Sequence, residues 1–210
     1  MIKKEIYPKT ERHKIEGIKV QITEKLDGSN LCFFKIDNEL YIATRKNIFT
    51  LTEVLTNYSS IKDIIYPYLD NWLKENGSNL RDCLNNNSVI CGEWLAMGKL
   101  KYPDLDNRFY MYAKANIYEE MILENIKYDH NLFIYPFTNQ NIPSFIKFVP
   151  LVEEVNFFPN VDYLNELYGK YTTLVNRAVE GFVVNFDDRI TKYVRMKNGK
   201  LADHYDQFKY

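Results

Sequence analysis

Three short runs of branched and aromatic residues, at 20–26 (VQITEKL), 31–36 (LCFFKI) and 39–45 (ELYIATR), stand before the first segment with a helical period. Runs of this length and composition read as strands. Three in succession, with no helix to carry a crossover, favour antiparallel pairing. Asp27-Gly28 between the first two is a strong short-range hairpin signal. A hairpin accounts for the Asp-Gly pair and leaves Lys25, two residues ahead of it, unexplained. Lys25 is then either a solvated lysine at a strand edge or a nucleophile.

The period changes after residue 60. Ile61, Ile64, Ile65, Tyr68, Leu69, Trp72 and Leu73 recur at three and four residues, which predicts an amphipathic helix closing at Asn76-Gly77, a fitting C-cap. A polar turn at 85–88 leads into strand-like segments at 89–95 (VICGEWL) and 109–118 (FYMYAKANIY). Residues 129–159 carry no decisive pattern. A helix is expected over 161–171, and strands over 182–186 and 192–197. Repeats, low-complexity linkers and composition breaks are absent. The expected architecture is α+β, a single domain over 1–210 with mainly antiparallel sheets flanked by helices.

Composition narrows the function. At 210 residues and 46% hydrophobic the chain can bury a substantial core. Its net charge of -1 means that a polyanion must be held by a local patch. The 17 tyrosines suit core edges and base-stacking surfaces alike. Cys32, Cys83 and Cys91 are odd in number and form no C-x-x-C pair, so neither a disulfide framework nor a zinc ribbon is expected, and a reducing cytosol fits. No signal-peptide or membrane-spanning run is visible, which points to a cytoplasmic protein without a membrane partner. His13, His130 and His204 are scattered without ligand spacing and are assigned no chemistry.

Four stretches in order raise Lys25 above the innocent reading: EKLDGSN at 24–30, CGEW at 91–94, VEGFVV at 179–184 and VRMKNGK at 194–200. Together they resemble the covalent nucleotidyltransferase superfamily of ATP-dependent DNA and RNA ligases and mRNA capping guanylyltransferases. The chain looks most like the RNA ligases, particularly the nick-sealing RNA ligase 2 family. The resemblance runs from residue 24 to about 201 and implies a nucleotidyltransferase (ATP-grasp-like ligase) domain with no appended C-terminal OB domain.

Roles follow from the resemblance position by position. Lys25 matches the lysine that attacks the α-phosphorus of ATP to give a lysyl-AMP phosphoramidate. Glu24 matches a neighbouring glutamate that helps bind the nucleotide, and Asn30 an asparagine that contacts phosphate. Arg45 matches an arginine near the ribose and the RNA end. Glu93 matches a ribose-binding glutamate, and Tyr112 falls where the family stacks an aromatic ring on adenine. Glu180 matches the glutamate associated with the divalent metal and the reacting phosphate. Arg195 and Lys197 match the paired basic residues that hold the α-phosphate and leaving group. The family usually has Asp where this chain has Ala113, and Lys where it has Arg195.

Physical chemistry asks for the same residue types. A free lysine amine is almost wholly protonated at neutral pH, so a nucleophilic one needs desolvation or nearby positive charge. Alternation along a strand puts Arg195 and Lys197 on one side and Lys192 on the other. Asp27 and Glu93 are natural acceptors for ribose hydroxyls, and Gly28 permits a tight turn close to phosphates. The expected activity is ATP-dependent RNA ligation: Lys25 is adenylylated, AMP passes to an RNA 5′-phosphate, and a 3′-hydroxyl displaces it. ATP and Mg²⁺ or Mn²⁺ are the expected cofactors, RNA the partner, with an accessory protein for substrate binding a further expectation. A DNA ligase, a GTP-using capping enzyme and a non-catalytic nucleotide- or RNA-binding module remain open alternatives. Glu93 as an exposed salt-bridge partner, Glu180-Gly181 as a loop leading into a buried strand, Tyr112 as core and the two cations as a solvated sheet edge are the corresponding innocent readings.

Overall fold

The chain leaves its first strand without doubling back on it. In the computed structural model, which describes residues 19–116, 143–186, 189–197 and 200–201, β1 (Val20–Lys25) and β2 (Ser29–Ile36) belong to different sheets. β1 lies between β8 (Leu151–Val155) and β9 (Gly181–Phe186), and β10 (Arg189–Val194) adds to β9, giving the order β10-β9-β1-β8. β2 sits in a six-stranded sheet with β3 (Glu39–Ala43), β4 (Ile48–Thr50), β5 (Ser88–Trp94), β6 (Phe109–Asn116) and β7 (Lys147–Phe148), in the order β4-β3-β2-β5-β6-β7. The hairpin expected at Asp27-Gly28 does not form. Both edges of β1 are taken by strands more than 120 residues away, so long-range pairing overrides the local turn signal and Asp27-Gly28 carries the chain between sheets. The true two-residue hairpin comes next, at Asp37-Asn38 between β2 and β3, with positive φ at both positions.

Apart from the parallel β6–β7 pair, the ladders are antiparallel, and the class is α+β with helices flanking the sheets. The strand expected over 109–118 ends at Asn116, its last two residues lying outside the described ones, as do His13, His130, His204 and residues 129–142. No helix among the described residues is long and apolar enough to cross a membrane.

Helices α1 (Leu51–Thr56), α2 (Tyr58–Ile61) and α3 (Leu69–Cys83) cover one face of the larger sheet. Thr50 and Glu53 close α1 with a capping box. The helix expected to end at Asn76-Gly77 instead begins at Leu69 and runs on to Cys83. Pro67 breaks the upstream period by excluding its predecessor from helical geometry, and Tyr68 bends the chain at φ 66°. Gly77 lies inside α3 because α1 packs there: a Cβ would stand 2.6 Å from Leu51 Cδ1. Leu31, Phe33, Ile42, Leu69, Leu73 and Trp94 lead the core beneath.

Helix α4 (Val161–Val175) covers the smaller sheet, placing Leu164, Tyr168 and Tyr171 against Ile22, Phe182 and Tyr193. The expected strand over 192–197 is broken at Arg195: the amides of Arg195 and Met196 both donate to the Glu180 carbonyl, at 2.8 and 2.9 Å. Met196–Lys197 forms β11, paired with β12 (Lys200–Leu201) in a separate ribbon. A second correction concerns the cysteines. Cys32 and Cys91 face each other on β2 and β5 and are joined as a disulfide, while Cys83 is free and exposed. Their partnership follows from strand register across 59 residues, which no local spacing reveals.

Candidate active site

The β1–β9 register sets Lys25 opposite Gly181, one residue beyond Glu180. Two side chains 155 residues apart therefore meet, and Lys25 Nζ donates to Glu180 Oε2 at 2.6 Å, with 27% and 15% of the two side chains exposed. Gly28, just past the crossing between sheets, donates its N–H to Glu93 Oε1 at 3.1 Å. A Cβ at Gly28 would lie 2.6 Å from the Trp94 carbonyl and 2.9 Å from Glu93 Cγ, so glycine is what lets the chain cross so close to β5. Asn30 pairs with Glu93 across β2 and β5. Lys25, Gly28, Glu93 and Glu180 thus gather where the two sheets meet.

Charge in this group is unbalanced. Burial, followed by the negative charges of Glu180 and Asp27, pushes the Glu93 carboxyl up from 4.5 to about 7, against the opposing pull of Lys25 and the Gly28 amide. Burial also raises Glu180, again opposed by Lys25, with Lys192 a smaller influence in the same direction. Two carboxyls thus share one ammonium, and burial pushes both toward their protonated forms. Among the described residues no three His, Cys, Asp or Glu side chains converge tightly enough to hold a metal by themselves. Glu180 and Glu93 are the carboxylates of this group that could act as donors to a divalent cation shared with a ligand's phosphates.

Lys25, Glu93 and Tyr112 open onto a cavity of about 240 Å³ whose apolar walls include Val149, Val183 and Ile190. Tyr112 is the extra residue of a β-bulge, lying between Met111, which pairs with Gly92, and Ala113, which pairs with Cys91. Its hydroxyl accepts a hydrogen bond from Asn30 Nδ2. Val183 was readable from the alternation of VEGFVV, whereas Val149 and Ile190 carry no sequence signal and arrive through tertiary packing alone.

Other expected site residues point elsewhere. The Asp27 carboxylate accepts the amides of Lys99 and Leu100 at 2.5 and 2.9 Å and thereby holds the 97–100 turn. Glu24 borders the same cavity as Lys25, but its carboxylate is buried and taken by Arg177 and the Tyr171 hydroxyl. Arg45 lines a separate cleft of about 510 Å³ with Lys46, Asn47 and Tyr66, reaching the first site only through shared Gly28 and Asn30. The break at Arg195 undoes the expected alternation. Arg195 lies 5.7 Å over the Tyr168 ring with its Nε buried and without an acceptor among the described residues, Lys197 is exposed on the β11–β12 ribbon, and it is Lys192 whose charge Glu180 feels. Ala113 is buried beside the disulfide and offers no polar group. Arg177 and Tyr102 were missed, for neither sits in a recognisable motif.

Among solved structures, the chain is similar to a Naegleria gruberi RNA ligase with ATP and Mn (18% identity, TM-score 0.46, covering 86% of this chain and 51% of that one). It is also similar to an archaeal ATP-dependent RNA ligase (16% identity, TM-score 0.43, 87% and 44%). The chain spans about half the length of these Naegleria ligases. Curated protein sequences give no match. The RNA ligase family model matches residues 18–197, a span that includes every strand and helix of both sheets up to β11, and the chain belongs to the RNA ligase family.

Proposed function

We propose that this chain performs the nucleotidyl-transfer chemistry of an ATP-dependent RNA ligase, with Lys25 as the nucleophile. The observation that carries the reading is the Lys25–Glu180 contact at 2.6 Å, at the mouth of a cavity walled by Tyr112 and bordered by Glu93. The Lys25 ammonium gives up its proton to solvent as the nucleotide binds, the Glu180 contact holding the nitrogen in place until then. The freed amine forms a bond to the α-phosphorus of ATP as the bond to pyrophosphate breaks, leaving lysyl-AMP. AMP then passes to an RNA 5′-phosphate oxygen, and an RNA 3′-hydroxyl displaces AMP as the phosphodiester forms.

Tyr112 supplies a ring for the adenine, and Asn30, hydrogen-bonded to it, sits toward the phosphates. Glu93 accepts a ribose hydroxyl, and Gly28 lets the chain pass close by. Glu180, with Glu93 beside it, would hold Mg²⁺ or Mn²⁺, which would supply charge neutralisation at the leaving group. Lys192 adds positive charge from β10. Arg195 and Lys197 keep the phosphate-binding role that the resemblance gives them, and Arg45 that of a contact to the RNA end from the neighbouring cleft. Glu24 and Asp27, whose carboxylates are occupied within the protein, act on the site through its backbone.

Incubation with Mg²⁺ and α-labelled ATP or GTP, followed by denaturation, tests the reading. An acid-labile AMP adduct that disappears in Lys25→Ala is the expected result. A GMP adduct favours a capping-type enzyme, and no adduct with either nucleotide overturns catalysis in favour of a binding module. End-joining on matched RNA and DNA substrates then tests the substrate class.

A further inference from the structure

One guanidinium grips the residue before Lys25 and stacks on the ring that holds the residue two places after it. Arg177, in the connection between α4 and β9, places Nη1 2.6 Å from Glu24 Oε1 and Nη2 2.8 Å from Glu24 Oε2, a two-pronged grip on the residue before Lys25. Its Nε binds Asp104 Oδ1 at 2.7 Å, and its Cζ stands 4.9 Å over the ring of Tyr102. Tyr102 in turn accepts the Asp27 N–H at 2.6 Å, so the same cation backs the ring that fixes the residue two places after Lys25. Tyr171 completes the group by donating to Glu24 at 2.8 Å.

The pair is almost wholly buried, with 6% of the Arg177 side chain exposed and none of Glu24. Burying two charges is costly, and apolar residues of equal volume often serve stability as well or better. A device for holding the fold does not need this chemistry. What the ion pair adds is direction: a planar fork on both carboxylate oxygens fixes the rotation of Glu24 and hence of the strand end. Successive strand residues face opposite ways, so a clamp on Glu24 from behind aims Lys25 into the cavity.

We infer that Arg177, acting with Tyr102, is a positioning residue for nucleotidyl transfer: it holds Glu24 and Asp27 so that the Lys25 amine is aligned with the α-phosphorus. The inference rests on the ligase reading above. No proton or bond changes hands at Arg177 itself.

Single-turnover formation of the AMP adduct, measured on the full chain across ATP concentrations, tests it. Arg177→Met lowers the rate at saturating ATP by about 100-fold, the scale of an ångström of misalignment, while half-saturating ATP moves by less than about twofold. Arg177→Lys restores only part of the rate, because an ammonium cannot grip both oxygens. The double variant Glu24→Met/Arg177→Met removes the unpaired buried charge and regains the melting temperature, yet stays slow. Tyr102→Phe keeps the ring and loses the Asp27 link, and it slows the same step. Recovery of rate together with melting temperature in the double variant overturns the inference, as does wild-type rate in both Arg177→Met and Tyr102→Phe, and in either case the ligase reading stands. Absence of any adduct in the wild-type chain removes the ligase reading and this inference with it.

Discussion

Replacing Glu93 by Gln isolates the cost of keeping a carboxylate beside Glu180 and Asp27. In the folded chain Glu93 titrates near 7, against 4.5 for an ordinary glutamate, chiefly because it is buried. The folded state therefore holds its proton more tightly than the unfolded one, and stability falls as pH rises from about 4.5 through 7. At 1.36 kcal/mol for each tenfold change in proton affinity, the ionised carboxylate costs about 3 kcal/mol once pH is well above 7. Glutamine has nearly the same shape and can still accept the Gly28 N–H, so Glu93→Gln removes that cost and little else. Urea denaturation should find the variant stabilised by about 2–3 kcal/mol more at pH 8 than at pH 5, with the urea dependence unchanged. The same variant slows AMP-adduct formation if the second Glu93 oxygen accepts a ribose hydroxyl, because glutamine keeps one acceptor oxygen, for the Gly28 N–H, and presents an amide N–H₂ in place of the other. An equal effect of the substitution at both pH values would refute the reasoning, because Glu93 would then titrate alike in folded and unfolded chains.

Gly98→Ala drives a Cβ to 1.7 Å from the Asp27 carbonyl oxygen, so the 97–100 turn must shift and release the two amides on the Asp27 carboxylate. Hydrogen bonds to a charged group contribute about 1.5–3 kcal/mol each, so denaturation should show a loss of at least about 2 kcal/mol, and slower adduct formation with it. Tyr112→Ala weakens ATP half-saturation by the equivalent of about 1–3 kcal/mol, with Tyr112→Phe close to wild type, if the ring carries the base. Leu73→Ala, at a 1% exposed position on the buried face of α3, costs about 2–5 kcal/mol, read as a lower urea midpoint at constant slope.

Strand-like runs at 20–26, 31–36, 39–45 and 89–95 and the helical period at 161–171 were legible one segment at a time, because alternation and the 3.6-residue period are written into neighbouring residues. The α+β class followed from their order, and the ordered motifs named Lys25, Glu93 and Glu180, side chains that the structure brings together. Which strand pairs with which was not legible. Asp27-Gly28 is locally a hairpin turn, yet strands far along the chain compete for both edges of β1 and win, which turns the segment into a bridge between sheets. Gly77 looked like a helix end because its neighbour in space, Leu51, is invisible from its neighbours in sequence. The Cys32–Cys91 pairing, the burial of Glu24 under Arg177, and the turn that sends Arg195 toward Tyr168 have the same origin. Residue type and spacing thus determined what each segment can be and which amine is the candidate nucleophile. Only tertiary structure decided its company, since contacts between distant residues, and the burial that moves the Glu93 carboxyl to about 7, exist only once both sheets are assembled.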